Sequence, residues 1–518
     1  AAMNDLPKDM ASYMNYIYSF LSSDNSGIVQ RDKIDQNSQE YQAWKAGTIS
    51  LRDYIYSGIA GNWVDTTRLA ASSKYSNADD IYSQLVDYII AQLQDDKNFT
   101  KRMFRYLVND NVITGSQLCL ALFAQGVLRD DPQARAGLAT GDSAYTYNFI
   151  KNKIADLELT PAQLALDPCT AGCVVTDVKT GEIRALVSYP SYDNNKFANS
   201  VDADYYAKIS TSSASPLLNR ATQQKAAPGS TFKMVTATTA LEEGIINPYT
   251  RIHDGVQFNK INKPWPKCWS TYSHGNINVS QAIQHSCNYF FYEMGYRLGN
   301  GHNTLVDNEK GLSKLKKYAE KYGLTEKSGI ELPEAEPTFS DVDVVRSAIG
   351  QGSHSYTPVQ MSRYVTTIAN GGTCFDLTLI QKIKDAKSKT QDKKSSNVRN
   401  KLNFQSSTLT AIKTGMKNVV QAGSIKSLFN NVNVTVAGKT GTAQITNNEP
   451  NHALFVSFAP YENPEISITV VIPNGFSSSN AAELASKVYQ YYYDKSSRKK
   501  LMDGKVSSPA MGGTRQTD

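Results

Sequence analysis

With 518 residues, 40% hydrophobic and 20% charged, the chain is long enough for two or more domains and a large core. A net charge of +6 is small for that length and leaves no nucleic-acid footprint, so a dedicated DNA- or RNA-binding protein is excluded. No segment has the apolar length needed to cross a bilayer, and six cysteines are too few for a disulfide framework at this size.

In chain order, the stretch to about residue 165 reads mostly helical. Ile81, Tyr82, Leu85, Val86, Ile89 and Leu93 trace one face at helical spacing, continued by Phe104, Leu107 and Val108, and predict a stripe turned into the core. Ser22 to Gly27 has the look of a calcium loop, but its first position is a serine and its twelfth is Lys33, where a bidentate glutamate is needed, so calcium is not expected there. Further on, Pro228-Gly229 breaks the chain just before Ser230, and Met234, Val235, Ala237, Ala240 and Leu241 continue as a helix that Gly244 closes,. Ser230 is thereby predicted at a helix N-terminus, where unpaired N–H groups and the positive dipole end favour a developing oxyanion. Lys233, three residues on, projects on the same side, with its amine in reach of the hydroxyl. Such a lysine serves as base only when neutral, a state that burial or a second cation promotes, and Lys439 is the candidate second cation.

A helical stretch from Val279 to His285 leads into Ser286-Cys287-Asn288. Ser286 can pass a proton between Lys233 and a leaving group, and the Asn288 amide can hold a substrate amide through its donor and its acceptor. Residues 384 to 401, rich in Lys, Ser, Asn and Gln without an apolar period, predict an exposed, mobile loop,. Val432 to Ala443 predicts a strand carrying Lys439-Thr440-Gly441-Thr442. Its cation and hydroxyls suit a substrate carboxylate, Gly441 would let a substrate backbone approach, and the Thr442 N–H would pair with that of Ser230 as an oxyanion hole. Gly438-Lys439-Thr440 is not the end of a phosphate-binding loop, because the earlier glycine it needs is Asn433 and the residues that follow read as strand. Ala453 to Phe458 and Ile466 to Ile472 predict paired antiparallel strands, Ala481 to Tyr492 a closing helix, and the tail from Lys495 a flexible end.

Ser230-Thr231-Phe232-Lys233, Ser286-Cys287-Asn288 and Lys439-Thr440-Gly441-Thr442, in that order, resemble the acyl-transfer site of the penicillin-binding proteins. The class B peptidoglycan transpeptidases are the nearest match, and among them the elongation type. Val175 to Ser188 with its turn Lys179-Thr180-Gly181-Glu182, Tyr189 to Asp193, Leu218-Asn219-Arg220, Gly350-Gln351-Gly352 and Thr357-Pro358 extend the resemblance over roughly residues 169 to 494,. It implies an α/β (α+β) fold, the penicillin-binding-protein transpeptidase fold, with an antiparallel sheet flanked by helices. The domains implied are a helical, pedestal-like region over 1–165, the transpeptidase domain over 166–494 and a flexible tail over 495–518.

The implied activity is that of a D,D-transpeptidase. Ser230 attacks the penultimate D-alanine carbonyl of a peptidoglycan stem peptide, D-alanine leaves, and an amine of a neighbouring strand takes the acyl group. β-Lactams would acylate the same serine. The resemblance also implies no cofactor for the chemistry, a membrane-embedded peptidoglycan polymerase as partner, and the extracytoplasmic face of the cell membrane as location, the chain from Ala1-Ala2-Met3 being trimmed of an anchor. D,D-carboxypeptidase, serine β-lactamase, β-lactam sensor and non-catalytic cell-wall scaffold are the alternatives. A β-lactamase needs a placed base for deacylation, and no motif assigns a glutamate to it. A sensor would add a signalling domain, and a scaffold would be expected to lose Lys233 or Lys439.

Cys268, His274 and Cys287 fall in one short span, with Asp254 upstream, and soft thiolates with an imidazole in a four-ligand set favour tetrahedral zinc. Resemblance adds to this: some elongation-type enzymes hold zinc through an acidic residue, a ligand before a Gly-His-Gly-like turn, that histidine, and the cysteine inside Ser-x-Asn. Asp254, Cys268, His274 and Cys287 match in turn, although Ser273 replaces the first glycine and Cys268 stands where an aspartate is often found. The zinc so implied is structural, without an open position, and tethers the loop of Ser286 and Asn288. The alternatives are a packed Cys287 thiol with His274 as a turn residue, or His285 or His302 as substitute ligands, with His285 and Cys287 pointing to different faces. Cys119, Cys169, Cys173 and Cys374 read as small buried apolar residues.

Overall fold

The computed structural model describes residues 1–502 apart from 7, 25, 70–76, 157, 160–169, 211, 213, 394 and 444–450. The chain divides into two compact units, Ala1–Leu166 and Asp167–Asp518. In the first, the helix Ala78–Leu93 starts at a capping box between Asn77 and Asp80, which satisfies two orphan N–H groups reciprocally. Leu85 and Leu93 are buried, and Ile81, Tyr82 and Ile89 pack against the same core, as the helical period requires. The continuation differs, because Phe104 in Lys97–Asn109 is 48% exposed. Phe99 is the residue of that helix that inserts, with its ring 4.9 Å from Tyr13 and 6.1 Å from Tyr16, so the stripe turns earlier than its apolar letters suggest.

The second unit is built on a sheet of β1 (Ala171–Asp177), β2 (Ile183–Tyr189), β3 (Ala437–Ala443), β4 (His452–Ala459) and β5 (Ile466–Ile472), in the order β2-β1-β5-β4-β3 and antiparallel throughout. Its principal helices are α1 (Lys233–Glu242), α2 (Val279–Gln284), α3 (Asn288–Leu298), α4 (Val344–Ser347), α5 (Pro358–Ala369), α6 (Ser406–Ala422) and α7 (Ser478–Tyr493). Strand alternation separates α5 from α7. Ser467 bonds Thr366 of α5, whereas Ser457, which pairs with the next residue of β5, receives the Tyr489 hydroxyl of α7, so the two helices cover opposite faces.

Residues 233–241 of α1 are all buried, as expected of a helix with no polar face beyond threonines. Those threonines turn their hydroxyls back on backbone carbonyls: Thr238 on Met234, Thr239 on Val235, and Thr236 on Ala348. Helix α6 packs against both α2 and β3, and Ser280 of α2 donates to the Ala411 carbonyl at 2.7 Å. The segment before Ser286 and the strand carrying Lys439 are thus braced by one common helix.

Three expectations are corrected. Strand β3 begins at Ala437, not Val432. Residues 384–401 are not a plain loop: Lys382–Lys384 pairs with Thr390–Lys393, and Val398–Lys401 pairs with Thr373–Phe375. Lys382–Lys384 and Val398–Lys401 are largely exposed and mostly polar, so backbone pairing holds them with little of the apolar alternation that would betray it,. The tail is not wholly unstructured, since Arg498–Leu501 forms a helical turn and Arg498 donates to the Tyr491 carbonyl; residues 503–518 and Cys169 lie outside the described ones. No helix among the described residues is long and apolar enough to cross a membrane.

Candidate active site

Ser230 sits in a 3-10 turn, Gly229–Phe232, that runs directly into α1 at Lys233. Residues three apart eclipse in a 3-10 turn, which puts both side chains on one side. Gly229 has φ +50, and a Cβ there would lie 2.7 Å from the Thr442 carbonyl oxygen; only glycine allows the turn to press so closely on β3. Gly441 is explained by the same contact. A Cβ on it would stand 2.8 Å from the Pro228 oxygen and 2.8 Å from a Thr231 methyl. Its missing side chain accommodates the protein's own nucleophile turn.

Helix α2 ends at Gln284 with His285 as its C-cap, and Ser286 follows with φ +52, a left-handed conformation that non-glycine residues seldom adopt. That twist sends its hydroxyl between two amines. Lys439 Nζ is 2.9 Å and Lys233 Nζ 3.2 Å from Ser286 Oγ, and both lysines have no solvent exposure. Lys233 also donates to the Ser286 carbonyl at 2.7 Å and to Asn288 Oδ1 at 2.6 Å. Lys439 reaches Thr440, both its carbonyl at 2.9 Å and its hydroxyl at 3.3 Å. The Asn288 oxygen thus accepts from Lys233 with one of its two lone pairs,.

A cleft of about 540 Å³ opens onto Ser230, Asn288 and Thr442, with Lys267, Trp269, Tyr292, Arg346 and Gln351 also in its wall. Lys267 and Arg346 escaped the sequence reading. The one signal was the position of Lys267 beside Cys268, in the stretch that holds Trp265 and Trp269. Beneath the Ser230 turn, His354 is 2% exposed and lies 4.2 Å from the Phe232 ring. Its Nδ1 accepts from the Ser340 N–H at 3.1 Å, and burial pushes its pKa down from 6.5 to about 3. The unfolded chain binds a proton that the folded one refuses, so this group's contribution is full above pH 6.5 and is lost as pH falls toward 3,. The expected slope is about 1.4 kcal/mol per pH unit within that window. Urea titrations of the parent and His354→Gln at several pH values check this: the variant's profile should be flatter, and parallel profiles would count against it.

The four expected metal ligands converge. Ile252-His253 pairs with Asn276-Ile277 as a short ribbon, which sets Asp254 against His274, with Asp254 Oδ2 2.6 Å from His274 Nδ1. Cys268 arrives on the neighbouring segment through its N–H to the Val256 carbonyl. Cys287 caps α3, accepting from the Phe290 N–H at 3.5 Å. One donor atom from each of Asp254, Cys268, His274 and Cys287 lies within 4.8 Å of all the others. Tetrahedral zinc with bonds of about 2.0–2.3 Å needs donor separations of about 3.3–3.8 Å, so small side-chain adjustments suffice and the donor set fits. His285 stands close, its ring 5.4 Å from that of His274, but neither it nor His302 belongs to the cluster.

The charges in the cluster interlock. The Cys287 thiol, then the His274 ring, pull Cys268 down to about 4 against the opposing effect of burial. Contact with Cys268, reinforced by burial, pushes Cys287 far up. Burial works to raise Asp254, but the N–H groups of His274 and Val256 and the His274 ring outweigh it and leave the carboxyl below its ordinary range.

A family model for the penicillin binding protein transpeptidase domain matches residues 171–490. Peptidoglycan D,D-transpeptidase MrdA of Haemophilus influenzae is 31% identical over 353 residues, covering 62% of this chain and 52% of the relative; the chain thus spans about half the length of that relative. PBP2 of Helicobacter pylori, a penicillin-binding protein, superposes with a TM-score of 0.54 at 28% identity over 62% of this chain and 60% of that one. Penicillin-binding protein A of M. tuberculosis, as an imipenem acyl-enzyme complex, gives a TM-score of 0.54 at 25% identity, covering 62% and 72%.

Proposed function

The chain belongs to the penicillin-binding protein transpeptidase family, and on that premise we propose that it is a peptidoglycan D,D-transpeptidase working through a Ser230 acyl-enzyme that β-lactams also form. The observation that carries this reading is the Ser286 hydroxyl suspended between two buried amines, 3.2 Å from Lys233 and 2.9 Å from Lys439. Two ammonium groups so close and so dry repel each other, and burial disfavours each charge, so one amine is neutral in the resting enzyme. Lys233 suits that state. Held by the Ser286 carbonyl and Asn288 Oδ1 and three residues from the nucleophile, a neutral Lys233 amine would take the Ser230 proton.

Ser230 Oγ attacks the penultimate D-alanine carbonyl as its proton passes to Lys233. The N–H groups of Ser230 and Thr442 stabilise the oxyanion, and Thr440, Thr442 and the Lys439 charge hold the terminal carboxylate. Collapse expels D-alanine, whose nitrogen takes a proton relayed through Ser286. An acceptor amine then attacks the ester, and the same groups run in reverse. The described wall of the cleft offers amides and cations to an acyl-enzyme, which favours a long-lived penicillin adduct over turnover.

A zinc ion in this reading is held by Asp254, Cys268, His274 and Cys287, and would supply structural cross-linking only. Cys287 lies between Ser286 and Asn288, so its tether fixes both. The proposed setting is the extracytoplasmic face of a cell membrane beside a membrane-embedded peptidoglycan polymerase, as the family resemblance implies.

Intact-mass spectrometry after incubation with penicillin G tests the core of the proposal. One stable adduct is expected on the parent and none on Ser230→Ala. With a D-Ala-D-Ala donor and an acceptor amine, the aminolysis product should form. Rapid drug turnover would point to a β-lactamase, hydrolysis alone to a carboxypeptidase, and no adduct to a scaffold.

A further inference from the structure

The four-donor cluster contains two sulfurs, and one of them belongs to a residue of the cleft wall. Cys268 is only 7% exposed, yet it lines the same cleft as Ser230 and Asn288, which gives small solutes a route to it. Cys287 has no solvent exposure. Neither cysteine is in a disulfide, and their sulfurs lie within 4.8 Å of each other. A disulfide needs about 2.05 Å between sulfurs, so a closure of less than about 3 Å would join them,. The two sides of the pair differ in freedom. The segment around Cys268 also carries Trp265 and Trp269, 37% and 40% exposed, so it lies at the surface. Cys287 stands between Ser286 and Asn288 and caps α3, accepting from the Phe290 N–H at 3.5 Å.

We propose that Cys268 and Cys287 are a redox modification site, at which a hydroperoxide forms a reversible disulfide that slows acylation of Ser230. The inference rests on the transpeptidase reading for the activity it controls. The Cys268 sulfur attacks the peroxide O–O bond and keeps one oxygen as a sulfenic acid. The other oxygen leaves as water or an alcohol, with a proton from the thiol or, where the sulfur is on zinc, from solvent. The Cys287 sulfur then attacks the Cys268 sulfur: the S–S bond forms, the S–O bond breaks, and water departs with the Cys287 proton. Two electrons pass from the pair of sulfurs to one peroxide. Disulfide sulfurs are no longer thiolate ligands, so a zinc ion in the cluster would keep only Asp254 and His274 and be released. The new bond also draws Cys287 away from the Phe290 N–H and pulls on its neighbour Ser286. That hydroxyl is held 2.9 Å from Lys439 and 3.2 Å from Lys233, and a misplacement of about 1 Å in such a site slows reaction by up to about a hundredfold.

The test treats the full chain, equilibrated with zinc, with hydrogen peroxide. Non-reducing peptide mapping should find the Cys268 and Cys287 peptides joined, with the loss of two hydrogens, and a chromogenic chelator should register the released zinc. Labelling of Ser230 by a fluorescent penicillin should slow about 10- to 100-fold and recover after dithiothreitol and zinc. Cys268→Asp keeps an oxygen ligand for zinc but removes the second thiol. Its labelling rate, whatever the starting value, should not respond to peroxide, and a melting curve verifies that it folds. Four results overturn the site: no joined peptides at peroxide levels that oxidise a free thiol, Cys268 carried on to sulfinic acid, joined peptides with unchanged labelling, or equal slowing of Cys268→Asp. A penicillin adduct on the reduced parent separates the two levels. No adduct means the transpeptidase reading has failed; an adduct without the disulfide means the redox site alone has failed.

Discussion

Replacing Lys233 with methionine is expected to slow acylation of Ser230 by a fluorescent penicillin about a thousandfold, within the 10²–10⁴ range of a positioned general base. Methionine keeps most of the side-chain volume, so the loss reports the amine rather than a cavity. Two buried acceptors, the Ser286 carbonyl and Asn288 Oδ1, lose their donor, each at about 1–3 kcal/mol, while the apolar methionine avoids the cost of desolvating a buried amine. A modest change in Tm is therefore expected beside a very large change in rate. Lys439→Met should be milder toward the drug, because Ser286 Oγ would keep its contact with Lys233. Stopped-flow labelling of both variants decides the matter. If Lys233→Met were labelled within tenfold of the parent and Lys439→Met were not, the base would have to be Lys439 acting through Ser286.

Removal of metal should produce the second-largest effect. Four convergent donors, three of them buried, mean that apo protein must hold a thiolate, a thiol, a carboxylate and an imidazole against one another without the ion that reconciles them. At free zinc roughly a thousandfold above Kd, bound metal adds about 4 kcal/mol of stability. Chelation should therefore lower Tm by several degrees and slow penicillin acylation by about 10- to 100-fold, because Cys287 no longer anchors Ser286 and Asn288. Cys287→Ser should reproduce both changes and abolish the one-to-one zinc content found by elemental analysis. Protein that is metal-free after exposure to zinc, with unchanged Tm and rate, would refute the assignment.

What could be read from the letters was whatever short-range spacing encodes. Ser230 and Lys233 are three apart, and local helical geometry alone puts them together. The convergence of Asp254, Cys268, His274 and Cys287 was expected partly from residue type, since thiols and an imidazole in one stretch have few joint uses, and partly from the family resemblance. What escaped depends on contacts between remote segments. Gly441 announces flexibility but not that Pro228 and Thr231 fill the space beside it. Asn288 offers a donor and an acceptor, and nothing local reveals that Lys233 donates to its oxygen. Lys267 and Arg346 look like solvated surface charges until the fold brings both into the wall of the cleft. Phe104 and the strands within 382–401 failed for a related reason: an apolar letter does not state which face is already full, and pairing of mostly polar strands leaves little alternation to detect.

The backbone at Ser286 sets two demands in opposition. A chain refined for folding alone would carry glycine there, relieving a left-handed dihedral that costs a side-chain-bearing residue about 1–2 kcal/mol. A serine at this point means that the proton route is installed at the expense of local relaxation. Improvement of this domain's hardiness and preservation of its chemistry would select different letters at position 286.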